Sequence, residues 1–217
     1  MVAGTRAGVL KSARMDAVLF DLGKVLLDWS PRYFYARFFP GDERALERFL
    51  GEVVAPTWIL EMDRGLPMAE AIAARQELYP EHADLIARWR EGWPEMLRGE
   101  IAGTVEVLEE LAARGRRLYA LTNFSHETWP VARARFDFLG RFEDVVVSGE
   151  VGMVKPDPRI YRLACDALGV DPSEAVFLDD IGRNLKAARA LGMRTIKVDE
   201  PGVALAALAE QLGFALG

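Results

Sequence analysis

Apolar positions along this chain follow two rhythms, and the switch between them marks its organisation. Ala17-Val18-Leu19-Phe20 is an unbroken apolar run closed by Asp21, and Ala175-Val176-Phe177-Leu178 is a second, closed by Asp179-Asp180. Short continuous runs bounded by turn residues predict strands buried on both faces, as in a parallel sheet covered by helices. Arg117-Leu118-Tyr119-Ala120-Leu121 predicts another strand, ending at Thr122-Asn123, and the segments Asp144 to Val147 and Thr195 to Val198 predict two more. Helical spacing fills the intervals: Thr104 to Arg114 closed by Gly115, a helix running to about Arg135, and one opened by Pro156 and ending near Leu168-Gly169. Further on, Leu185, Ala188 and Leu191 share one face of a helix closed by Gly192, and a last helix is expected around Val203 to Leu212. Ser148 to Val154 reads as a loop, and Asp171-Pro172-Ser173-Glu174 as a capped helical turn. Five strands alternating with helices imply an α/β fold with a Rossmann-like, doubly wound parallel sheet.

From Asp28 to about Arg98 the pattern changes. Aromatics crowd this interval (Trp29, Tyr33, Phe34, Tyr35, Phe38, Phe39, Trp58, Trp89, Trp93), and the apolar spacing is helical, as in Ala71, Ala74 and Leu78. It predicts an inserted bundle of about four helices, with the aromatics as its core. The expected organisation is therefore a core domain of residues 15–27 and 99–217, a helical cap of residues 28–98, and a loosely ordered leader, 1–14. Gly23 permits a sharp turn directly after Asp21, which lets backbone approach whatever that acid binds.

Composition narrows the partners. At 217 residues and 51% hydrophobic, the chain can bury a sizeable core. Its net charge is −6 and its basic residues are scattered, which argues against nucleic acid and leaves a small molecule as the expected partner. The single cysteine, Cys165, sits among Leu163, Ala164 and Leu168 and reads as packing. One cysteine makes no internal disulfide, which suits a reducing cytoplasm. No stretch reaches the ~18 to 20 apolar residues that span a bilayer, and the leader lacks the apolar core of a secretory signal. His82 and His126 lack the spacing of a zinc site; both read as cap or surface residues, although His126 follows Asn123 closely enough to border a pocket.

The chemistry lies at the strand ends. Ligands of open parallel sheets gather beyond the carboxyl ends of the strands. With the first and second acid-terminated strands side by side, Asp21 and Asp180 would share one rim. Carboxylates that close repel, so one takes a proton or a cation sits between them; an all-oxygen site suits Mg²⁺. A lone strand-end Asp does no more than cap the next turn. The acids together with Thr122-Asn123 and Lys155 supply an attacking group, a hydroxyl, a fixed cation and metal ligands, a coherent set for phosphoryl transfer.

Through FDLGKVLLD, LTN, VGMVKPDPRIY and VFLDDIGRNLKAARALGM, the chain resembles the haloacid dehalogenase (HAD) superfamily of hydrolases with a helical cap. The last two stretches are similar to the amino-terminal phosphatase domain of soluble epoxide hydrolase. The resemblance runs from about Ala17 to the end and is thin across the cap. It implies Asp21 as nucleophile, Thr122 as a phosphate-binding hydroxyl, Asn123 as a further substrate-binding residue, and Lys155 as charge partner that also binds substrate. It further implies Mg²⁺ held by Asp21, Asp180 and the Gly23 carbonyl, with Asp179 and Asn184 supporting that shell. The implied reaction is Mg²⁺-dependent hydrolysis of a small phosphate monoester through an aspartyl-phosphate, under a cap that closes over the substrate.

One position departs from the pattern. Most phosphatases of the superfamily carry a second acid two residues after the nucleophile, where this chain has Gly23, although some apparent sugar-phosphatase relatives share the DLG pattern. General acid/base help is worth roughly 10²- to 10⁴-fold. Asp28 reads as the entry to the cap rather than a substitute, and Lys24 is expected to face solvent. Two other readings compete: a 2-haloacid dehalogenase, in which Asp21 attacks carbon without a metal and the paired acids go unexplained, and a protein that binds a phosphorylated ligand without turnover.

Overall fold

The computed structural model describes residues 17–199 together with 207, 208 and 210; the leader and most of the expected last helix lie outside the described residues. In chain order the elements are β1 (Ala17–Phe20), β2 (Leu27–Trp29), α1 (Pro31–Tyr35), α2 (Glu43–Arg48), α3 (Pro56–Asp63), α4 (Met68–Leu78), α5 (Ala83–Ala87), α6 (Trp89–Met96) and β3 (Leu97–Glu100). They continue with α7 (Ala102–Ala113), β4 (Arg117–Thr122), α8 (Trp129–Arg135), β5 (Asp144–Val147), α9 (Ser148–Val151), α10 (Pro158–Leu168), β6 (Ala175–Asp179), α11 (Gly182–Ala190) and β7 (Arg194–Lys197).

The five-stranded sheet runs β5-β4-β1-β6-β7, with every pairing parallel. Its two faces explain the unbroken apolar runs. Val18, Phe20, Leu118, Ala120, Val176 and Leu178 pack into one core with α7 and the cap. Ala17, Leu19, Tyr119, Leu121, Ala175 and Phe177 pack into the other, against α10 and α11. Successive strand residues point to opposite faces, so a strand covered on both sides has no polar position to spare. Each buried Val, Leu or Phe among them contributes about 1.5–3 kcal/mol of burial.

Register sets the rim. Phe20 lies level with both Ala120 and Leu178, so Asp21 lies level with Asp179, and Thr122 and Asp180 come one residue further along their strands. The Asp21 N–H continues the ladder to the Leu178 carbonyl at 2.8 Å.

The cap differs from the expected four helices: it has six short α-helices. Prolines account for much of the subdivision, since Pro31 and Pro56 open α1 and α3 and Pro80 opens a 3₁₀ turn before α5. Its core is aromatic, as expected: the Tyr35 ring lies within 6.5 Å of those of Phe34, Phe38, Phe49 and Trp89. Gly92 makes the closest helix contact possible, because a Cβ there would fall 2.4 Å from the Phe34 ring. The chain enters and leaves the cap through an antiparallel ribbon of β2 and β3, with a bulge at Asp28/Trp29. Strands this short carry no readable alternation, which is why the sequence hid them.

Other boundaries also move. The expected loop from Ser148 holds α9, and α10 opens at Pro158 rather than Pro156, capped by Asp157, whose carboxylate accepts from the Arg159 N–H at 2.9 Å. The last sheet strand is Arg194–Lys197. The turn at 171–174 carries the expected capping box. After Asp21 the left-handed residue is Lys24 (φ 61°), not Gly23; its N–H closes the turn onto the Leu27 carbonyl at 2.8 Å.

Candidate active site

Three carboxylates and one ammonium meet where β1 and β6 end. The Lys155 Nζ lies 2.8 Å from Asp21 Oδ1 and 2.8 Å from Asp179 Oδ2, with its side chain 1% exposed. Nζ also stands 5.2 Å above the Phe177 ring, an attractive arrangement for a desolvated cation. Asn123 fixes the lysine from behind: its side chain accepts from the Lys155 N–H at 2.8 Å and donates to the Lys155 carbonyl at 3.1 Å. The amide thereby holds the Lys155 backbone while the residue also lines the cavity.

Asp179 is fully buried and saturated. It accepts from Lys155, through both of its oxygens from the Asn184 Nδ2–H group at 3.0 and 3.1 Å, and from the Ile181 N–H at 2.7 Å. Asn184 thus supports the cluster through Asp179, and its own Oδ1 has no partner among the described residues. Asp180, half-buried, faces the cavity. Ligand oxygens of Asp21, Asp179 and Asp180 all lie within 4.8 Å of one another.

Charge crowding moves the titrations. Burial pushes Asp21 up to about 7, with Lys155 opposing and Asp179 and Asp180 adding to the rise. Burial alone would lower Lys155, but the two carboxylates outweigh it and hold the ammonium above its ordinary value. Burial and Asp179 raise Asp180. Three acids facing one lysine leave an excess of negative charge, which a hard divalent cation would balance. The all-oxygen donor set and the unpartnered Asn184 oxygen suit such an ion.

These groups open into a cavity of about 430 Å³ between the rim and the cap, lined by Asp21, Gly23, Lys24, Asn123, Lys155, Asp180 and Asn184 from the core and by Trp29, Ile59 and Asp63 from the cap. Lys24 is exposed, as expected, but at the cavity mouth. Thr122 ends β4 fully buried with an unpartnered hydroxyl, and does not itself line the cavity. Asp28 accepts the Tyr33 hydroxyl at 2.6 Å at the cap entry. His82 packs edge-on to Phe49 and His126 does not line the cavity. Cys165 is buried, which pushes its thiol up to about 11.

The family model of haloacid dehalogenase-like hydrolases matches residues 15–192. The chain belongs to this family. Porcine bifunctional epoxide hydrolase 2 (Sus scrofa) is 41% identical over 50% of this chain, which spans only 17% of that protein's length. Phosphatase MT3486 of Mycobacterium tuberculosis is 38% identical over 87% of this chain and 89% of its own. A HAD family enzyme of Bacteroides thetaiotaomicron, crystallised with magnesium and inorganic phosphate, superposes with a TM-score of 0.63 at 24% identity, over 84% of this chain and 93% of that one. The fold is shared.

Two parts of this HAD-like hydrolase's site escape sequence reading. Glu127, just after β4, ties the cap down: its carboxylate accepts the Met68 N–H at 2.6 Å and pairs with Arg90 at 2.6 Å. Asp63 brings a cap carboxyl to the cavity, and burial followed by the charge of Asp21 raises it to about 7. An acid in the last turn of a helix opposes the helix dipole, and that is the one local sign that Asp63 is held by something else.

Proposed function

We propose that this hydrolase cleaves small phosphate monoesters through an aspartyl-phosphate on Asp21, with Mg²⁺ held by Asp21, Asp180 and the Gly23 carbonyl. The observation that carries the reading is the buried Lys155 clasped between Asp21 and Asp179 at the head of a capped cavity. When bound, Mg²⁺ neutralises the crowded carboxylates and part of the charge on the transferring group.

The chain's own residues divide the remaining work. Lys155, fixed by Asn123, holds the Asp21 carboxylate oriented and faces the negative phosphoryl group with a permanent positive charge. The Thr122 hydroxyl, which has no partner among the described residues, is the donor for a phosphate oxygen. Asp21 attacks phosphorus in line and water later displaces the phosphate. The aromatic cap keeps bulk water out during attack. The 38% identity with a protein named a phosphatase, over most of both chains, supports this reading.

Phosphate release from a panel of sugar, alkyl and aryl phosphates, with Mg²⁺ or chelator and with Asp21→Asn beside the native protein, tests it. Release that needs both the ion and Asp21 is expected. Halide release from 2-chloropropionate without phosphate release would replace the reading with dehalogenation, and no turnover at all would leave a binding protein.

A further inference from the structure

Beside the catalytic cavity lies a smaller chamber of about 80 Å³, and Gly23, Trp29, Ile59, Asp63 and Asn123 line both spaces. The chamber is otherwise walled by side chains such as Met62, Trp89, Trp93 and Phe124, and Asp63 is its sole titratable group among the described residues. A leaving group seated there meets one side chain able to exchange a proton.

Such a group is needed. Breaking the ester of an ordinary alcohol creates an alkoxide, a poor leaving group until protonated. Among the cavity's titratable side chains, Asp21 attacks, Lys155 is bound by two carboxylates, and Asp180 belongs to the acidic cluster. Lys24 and Arg183 are exposed cations at the mouth. Asp63 remains, and its carboxylate forms no ion pair with another described residue.

Asp63 is also held in place, although it belongs to the cap. Its main-chain carbonyl accepts the Ser148 hydroxyl at 2.5 Å. The turn beyond it abuts the core so closely that a Cβ on Gly65 would come 3.1 Å from the Gly149 carbonyl. Across the cavity the space at Gly23 is open, for a Cβ there would meet nothing within 4 Å.

We propose that Asp63 is the general acid and base of this hydrolase, supplied by the cap to a site whose core strand offers only Gly23. The proposal rests on the phosphatase reading. In the first half-reaction the Asp21 carboxylate bonds to phosphorus, the ester P–O bond breaks, and Asp63 gives its proton to the departing oxygen. In the second, Asp63 as carboxylate takes a proton from water as the water oxygen bonds to phosphorus and the Asp21–phosphorus bond breaks. Both residues return to their starting states. The raised carboxyl of Asp63, about 7, keeps that proton available near neutrality.

Asp63→Asn, compared with the native protein in Mg²⁺ on an alkyl phosphate and on p-nitrophenyl phosphate, tests the role. On the alkyl ester kcat should fall roughly 10²- to 10⁴-fold with KM little changed. On the nitrophenyl ester, whose leaving group needs no proton, the first equivalent of nitrophenolate should still appear fast. A burst matching the enzyme concentration should follow, with aspartyl-phosphate trapped on acid quench, because the second step lacks its base. Asp63→Glu should recover part of the alkyl-ester rate. Equal losses on both esters without a burst, or no loss on either, would overturn the proposal. A second measurement needs no variant: native rates across substituted phenyl phosphates should depend weakly on leaving-group pKa, and a steep dependence overturns it. Absence of Asp21-dependent release from the native protein is a different outcome, which removes the phosphatase reading itself.

Discussion

At the scale of single residues, the site is a problem of charge in a dry place. Lys155 and Asp179 are both buried, and each is tolerable only because the other neutralises it and Asn184 and Ile181 satisfy the remaining lone pairs. Asp63 lacks such a partner, so the folded protein keeps a proton that the unfolded chain gives up at its ordinary value of 3.8. The folded state therefore binds more protons between about 4 and about 7, and stability declines as pH rises through that window. Melting temperatures in chelator should fall from pH 5 to pH 8, and should fall less in Asp63→Asn, which cannot ionise there. Equal slopes for the two proteins would show that Asp63 titrates at its ordinary value. The strand-end positions of Asp21, Thr122 and Asp180 were legible in the sequence because apolar runs lead up to them, whereas Lys155 follows a loop. Asp63 was not, since nothing near it in sequence says which cavity a helix end will face.

At the scale of elements, β1 and β6 were readable because burial on both faces leaves an unmistakable run. The cap was readable only as helical and aromatic. Its division into α1 to α6 depends on where prolines interrupt and where one helix can approach another. Gly92 on α6 shows the second constraint. In an exposed helix, replacing glycine by alanine gains roughly 0.5–1 kcal/mol. Here the added methyl would strike the Phe34 ring at 2.4 Å, and overpacking of that kind costs about 1–3 kcal/mol. Gly92→Ala should therefore lower the denaturation midpoint rather than raise it, which urea unfolding followed by tryptophan fluorescence will read.

At the scale of the whole molecule, the cavity over the charged cluster exists only once the cap is docked. Arg135 on α8 donates to the carbonyls of Pro94, Leu97 and Arg98 from one side, while Glu127 and Ser148 hold Met68 and Asp63 from the other. An ion bound at the rim should stabilise the assembled state, since only the fold brings Asp21 and Asp180 together. At a hundredfold excess over its dissociation constant, Mg²⁺ should contribute about 2.7 kcal/mol, a rise in melting temperature of roughly 5–10 °C. Differential scanning fluorimetry should show that rise in the native protein and its loss in Asp180→Asn. The same rise in the variant would mean that the ion binds elsewhere.

The sequence by itself determined the α/β core and the strand-end acids, because two-sided burial and strand ends are local patterns that periodicity exposes. The β2-β3 ribbon, the subdivided cap, the bonding of Asn123 to Lys155 and the arrival of Asp63 at the cavity were decided only in the tertiary structure. Each depends on a contact between residues distant in sequence: 32 positions from Asn123 to Lys155, and 85 from Asp63 to Ser148. Packing, and no pattern along the chain, selects such partners.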